Sequence, residues 1–168
     1  MQLISRHEAK QKVFGKPYNN CVLDHIEQSS YIFMLHVGSE AFFLSLLFHD
    51  ITPTRIITPH RKPRTLKEVV NRLLEQNITF EALSKNEIKG SYQPEAFDSY
   101  VSLLDVFDDS KFNYISCCPM NDYEKKFSPK GTFYLIDGNH RSLVYAYLLL
   151  THKLIFKPFD MFYFSDRI

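Results

Sequence analysis

Phe133-Tyr134-Leu135-Ile136-Asp137-Gly138-Asn139-His140-Arg141-Ser142-Leu143-Val144-Tyr145-Ala146 carries an apolar run, a short polar break and a second apolar run. Two readings of the break stand. Asp-Gly is a favoured two-residue hairpin turn, which would make the second run a returning strand. Yet Leu143–Leu150 is continuously apolar and does not alternate, which favours a helix entered directly from a strand. That junction has specific physics. Gly138 lets the backbone turn with positive φ and adds no side chain. The first amides of the helix lack intrahelical partners and stand at the positive end of its dipole, an anion site in themselves. His140 and Arg141 add donors, and a guanidinium grips phosphate or carboxylate in a forked geometry. Asp137 and Asn139 are candidates to cap the helix, to orient His140 or to hold a metal ion beside a phosphate.

Working outward, 168 residues suit one domain. The chain holds 20 Lys+Arg and 19 Asp+Glu, a net +1, which argues against nonspecific coating of nucleic acid. Fifteen Phe and ten Tyr, with no Trp, supply a substantial core and exclude disorder for most of the chain. Cys21, Cys117 and Cys118 form no C-x-x-C and read as small apolar residues of a reducing compartment. The first eight residues show no uninterrupted apolar segment of the signal-peptide kind. The apolar stretch Tyr31–Phe48 is broken by His36, Ser39, Glu40 and Ser45 and falls short of a bilayer span. A cytoplasmic protein with no membrane partner is expected.

Local signals order the rest. Ser5-Arg6-His7-Glu8 matches a capping box and starts a helix through about Val13, followed by a turn at Gly15–Asn20. Tyr31–Val37 reads as a buried strand, ended by Gly38-Ser39-Glu40; Ala41–Phe48 is either a returning strand or a buried helix. Ile51–Pro59 is a short β-like run. Thr65 is the N-cap of a helix over Leu66–Gln76, in which Leu66, Val69, Val70, Leu73 and Leu74 share a face. Another helix is expected within Pro94–Phe107, with Phe97, Tyr100, Val101 and Leu104 at helical spacing. Phe112–Cys118 reads as a strand, Met120–Gly131 as a polar connection and Thr132–Ile136 as a strand. Arg141–Leu150 reads as a helix, and Ile155–Phe164 as a last strand interrupted at Pro158. The order indicates a mixed α/β (α+β) fold.

Charge is concentrated in one segment. Arg55, Arg61, Lys62, Arg64, Lys67 and Arg72 stand against Glu68 alone, a local +5 that leaves the remaining chain at −4. Most such runs are solvated surface; the alternative is a loop and helix start that help bind an anion, with Arg61 and Arg64 as its candidates.

The strand–Asp137-Gly138-Asn139-His140-Arg141–helix element resembles the phosphate-cradling box of the ParB/sulfiredoxin-like superfamily. The stretch Ile56-Ile57-Thr58-Pro59-His60-Arg61-Lys62-Pro63-Arg64-Thr65-Leu66 is similar to that superfamily's opening strand, Pro-Arg loop and first helix. The resemblance implies a small nucleotide-binding α/β core over 51–168, a helical insertion, and an N-terminal elaboration over 1–50, all within one domain. By position it places Gly138, Asn139, His140, Arg141 and Ser142 about the phosphates of ATP, ADP or CTP. Arg61 and Arg64 would close from the other side. Asp137, His140 and Arg141 would be the catalytic set, with Asp137 a ligand for Mg²⁺. Two branches do not fit. Asn139 occupies the position of the sulfiredoxin cysteine, and the residues after Arg141 are too few for the helix-turn-helix domain of chromosome-partition proteins. A third branch, free-serine kinases, uses an Asp-Gly-x-x-Arg form of the box and comes nearest.

The expected activity is therefore nucleotide-phosphate binding, with phosphoryl transfer or nucleotide hydrolysis. The alternatives are a DNA- or RNA-binding protein or nuclease, and a non-catalytic interaction protein on the same fold. Other chemistries find little support. His7, His25, His36, His49 and His152 lack metal-ligand spacing. His36 and His49 lie inside apolar runs and read as core or boundary histidines. Nothing near Cys118 in sequence would activate its thiol, and the aromatics of Phe159–Phe164 read as buried strand.

Overall fold

A computed structural model describes residues 1–16, 20–48, 63–85, 95–108, 112 and 115–167. The first elements are β1 (Gln2–Ile4), α1 (Arg6–Val13), α2 (Asn20–Gln28), β2 (Tyr31–Val37), α3 (Glu40–Leu44) and β3 (Leu47–Phe48). There follow β4 (Arg64–Thr65), α4 (Leu66–Glu75), α5 (Phe80–Ser84) and α6 (Glu95–Val106). The last are β5 (Ser116–Pro119), α7 (Asp122–Phe127), β6 (Phe133–Asp137), α8 (Asn139–Leu150) and β7 (Phe159–Ser165).

The strands form one seven-stranded mixed sheet in the order β1-β2-β7-β5-β6-β3-β4, so the fold is α/β mixed. Pairing is antiparallel for β1–β2, β2–β7, β5–β6 and β3–β4, and parallel for β5–β7 and β3–β6. The early strands β1, β2 and β3 all belong to this sheet. β2 pairs with β7 from Tyr31↔Ser165 to Val37↔Phe159, and Leu47 of β3 stands opposite Tyr134 of β6.

Alternation of side chains divides the core between the two faces. Leu35, Val37, Leu135 and Met161 enter the larger cluster with α3, α4, α6 and α8, while Ile32, Phe162 and Phe164 join α1 and α2 in a smaller one. α8 lies within the larger cluster, with Ser142–Ala146, Leu148 and Leu149 all buried. A helix apolar on nearly every side is stable only where it is covered all round, as here.

Several elements follow their local signals. Ser5 and Glu8 close a capping box at α1, and Thr65 and Glu68 close one at α4. Leu66, Val69, Val70 and Leu73 turn one face of α4 into the core. Others differ. Ala41–Phe48 is divided: Ser39 caps α3, and the two residues of β3 follow it. Met120–Gly131 contains α7, held by a capping box between Asn121 and Glu124 that its polar composition conceals. α2 has no counterpart among the sequence expectations. Strand β7 begins at Phe159, after Pro158, because proline has no amide to give a ladder. β5 begins at Ser116. The expected run Ile51–Pro59 lies outside the described residues. Among the described residues no helix is long and apolar enough to cross a membrane.

Candidate functional site

β6 delivers Asp137 to the end of the sheet, and the chain turns there without a loop. Gly138 has φ 78° and ψ 19°, a left-handed conformation, and is the N-cap of α8 with no side-chain cap hydrogen bond. Its carbonyl accepts from the Ser142 amide at 2.8 Å, the first bond of the helix. The other described N-caps behave differently. Ser5, Ser39, Thr65 and Asn121 each accept from an amide of their helix's first turn.

Glycine is needed at this turn for a second reason. A Cβ on Gly138 would lie 2.4 Å from Ile115 Cγ2 and 3.2 Å from Ile115 Cα. The space left by the missing side chain is filled by Ile115, immediately before β5. Left-handed backbone and close packing thus act on one residue.

Around this turn the structure brings together Asp137, Asn139, His140 and Arg141. Arg141 Nη2 stands 3.7 Å from Asp137 Oδ2; the side chains are 21% and 8% exposed. His140 is half-buried, its ring centroid 4.4 Å from that of Tyr100 on α6, with the planes 42° apart. Ser142 is fully buried, which takes its hydroxyl away from the surface. Ser142 Oγ and Ser116 Oγ have no hydrogen-bond partner among the described residues.

Asp137 does not fit the metal role expected of it. Its carboxylate is almost wholly covered and already faces a guanidinium. Magnesium instead favours accessible carboxylates that leave it several waters. Among the described residues no group of three or more His, Cys, Asp or Glu side chains could hold a metal ion.

Of the basic segment's two anion-binding candidates, Arg64 is among the described residues. Arg64 lies on β4, with β3 between it and β6, and its Nη1 donates to the Phe127 carbonyl at 3.3 Å. The guanidinium thus serves the last carbonyl of α7, where a positive charge is favoured. Next to it Ser128 Oγ donates to the Pro63 carbonyl at 2.5 Å. Arg61 lies outside the described residues, as do Arg55, Lys62 and His49.

The remaining candidates take structural places. Burial pushes the Cys117 thiol well above the usual range. Burial first, and the Glu124 carboxylate second, push Cys118 up to about 11. Neither thiol is poised as a nucleophile. His36 is exposed and pairs with Asp160 across β2 and β7, Nδ1 to Oδ1 at 2.9 Å. His25 stacks on Phe164 at 5.5 Å. Phe162 and Phe164 are buried, whereas Tyr163 is half-buried on the opposite face.

Tyr100 is the residue beside the site that sequence reading did not single out for it. Its helical spacing marked it as core; only the packing of α6 over α8 places it against His140. Comparison of the chain with family models, with curated proteins and with solved structures found no match.

Proposed function

We propose that the start of α8 binds the phosphate of a nucleotide, ATP, ADP or CTP, as a phosphotransferase or nucleotide hydrolase would. The observation that carries this reading is the left-handed Gly138 N-cap, which has no side-chain cap bond and stands beside Arg141. The first-turn amides and the dipole favour a negative group there by about 0.3–1 kcal/mol, and by up to about 2 where partly buried. Arg141 adds charge-assisted bonds worth roughly 1.5–3 kcal/mol. In this reading His140 supplies a further donor, and Asp137 holds the guanidinium in register.

The test is a thermal-shift screen of ATP, ADP, CTP and GTP, with and without Mg²⁺, repeated on Arg141→Ala. Saturable binding stabilises the native state by about 2.7 kcal/mol at a hundredfold excess over Kd, so the midpoint should rise with ligand. Arg141→Ala should lose that response. A wild-type midpoint that no nucleotide moves, or an equal response in Arg141→Ala, would sink the reading. Affinity that collapses between low and moderate salt would point to a nucleic-acid backbone instead.

A further inference from the structure

His140 is the end of a column of four rings. Tyr147, two turns further along α8, packs on Phe80 of α5, with centroids 5.2 Å apart and planes at 59°. Phe80 stacks nearly parallel on Tyr100 of α6, at 5.2 Å and 8°. Tyr100 then meets His140 at 4.4 Å. The column leaves α8 at Tyr147, crosses two other helices and returns to the first turn of α8. Phe80 and Tyr100 are fully buried, whereas His140 is half-buried.

We propose that Tyr100 is a positioning residue: it fixes the His140 imidazole at the mouth of α8, and thereby sets the strength of phosphate binding there. The inference rests on the anion-binding reading above and adds to it the residue that controls one of its donors. A ring locked in a close-packed core presents a fixed surface. An imidazole packed against that surface loses the rotamers that would swing it away from the helix start. Ordering a side chain before the ligand arrives removes an entropy cost from binding. The proposed role belongs to the ring rather than to the hydroxyl. Phenylalanine should therefore serve and leucine should not.

Two readouts on the intact chain test this. The first needs no ligand. Three-bond couplings of His140, assigned by the loss of its signals in His140→Gln, report its χ1. They should show one rotamer in the wild type and in Tyr100→Phe, and an average in Tyr100→Leu. The second is titration with inorganic pyrophosphate. Tyr100→Leu should bind about five- to tenfold more weakly, and Tyr100→Phe should stay within about twofold of wild type. In a His140→Gln background, Tyr100→Leu should cost nothing further, because the effect runs through the imidazole.

Equal losses in the two backgrounds would overturn the proposal, as would wild-type couplings in Tyr100→Leu. Should Tyr100→Leu fail to fold, Phe80→Leu loosens the column one ring further from the site and is read in the same way. A wild type that ignores pyrophosphate, with His140 still held in one rotamer by Tyr100, would overturn the binding consequence and the anion reading together. Pyrophosphate binding that depends on Arg141 but not on Tyr100 would overturn the positioning role alone.

Discussion

Arg141 reaches back one helical turn to Asp137, Nη2 to Oδ2 at 3.7 Å, across the left-handed glycine that joins strand to helix. The carboxylate is the more deeply covered partner, so the pair is asymmetric. Asp137 holds the guanidinium and also offsets part of its charge.

Two opposite effects are expected of Asp137→Asn. Removing the charge while keeping the shape takes away the ion pair with Arg141, which should destabilise the fold by about 1–3 kcal/mol, less than for a fully buried pair. The site becomes more positive, and pyrophosphate should bind about two- to fivefold more tightly. Urea denaturation and a pyrophosphate titration of one variant check both signs. Weaker binding with unchanged stability would contradict this account of the pair.

Gly138→Ala meets strain and collision together. The left-handed backbone costs a non-glycine residue about 1–2 kcal/mol, and forcing a methyl against Ile115 adds about 1–3. Ile115→Ala should reduce the penalty of Gly138→Ala while adding a cavity cost of its own, giving a favourable coupling in a double-mutant cycle. It should not abolish the penalty, because Ile115 Cα would remain 3.2 Å from the new Cβ. Additive denaturation energies would show that the two residues do not compete for this space.

Cys118 makes stability depend on alkaline pH. Its thiol sits at about 11 in the fold against 9.0 for an ordinary cysteine. Between those values the unfolded chain releases the proton and the folded chain keeps it, so stability falls as pH rises above about 9. Cys117 and Tyr134 are raised as well and act in the same direction. Urea midpoints at pH 8, 9 and 10 should decline, and Cys118→Ala should flatten part of that slope. A slope identical in the variant would remove Cys118 as a cause.

Arg64→Ala tests whether Arg64 takes part in the site. Its guanidinium is engaged with the Phe127 carbonyl, so truncation should lower stability by about 0.5–1.5 kcal/mol. Pyrophosphate affinity should stay within about twofold of wild type. A loss comparable to that of Arg141→Ala would place Arg64 in the site.

Local chemistry made much of the scaffold legible. A hydroxyl followed three residues later by glutamate is a local helix-start signal, because both bonds form within four residues. Ser5–Glu8 is readable for that reason, whereas at α4 the sequence marks Thr65 as the N-cap and the structure adds Glu68 as its partner. The same logic holds at Asn121–Glu124, but the polar run after it has no apolar stripe to mark a helix, so its composition reads as a loop where α7 forms. The apolar burst after Gly138 identified α8 because continuous apolarity cannot alternate across a half-exposed strand.

What residue order alone determined, then, was the strand–glycine–helix junction and the placing of Asp137, His140 and Arg141 around it, since neighbours in sequence must be neighbours at a turn without a loop. What only the tertiary structure decided were contacts between residues far apart in the chain. Ile115 fills the space beside Gly138, Tyr100 packs on His140, and β3 parts Arg64 from β6. The two-residue strands β3 and β4 exist only because the sheet beside them offers backbone partners. Those contacts follow from how helices and strands stack to bury apolar surface, a property of the whole chain that no short window contains.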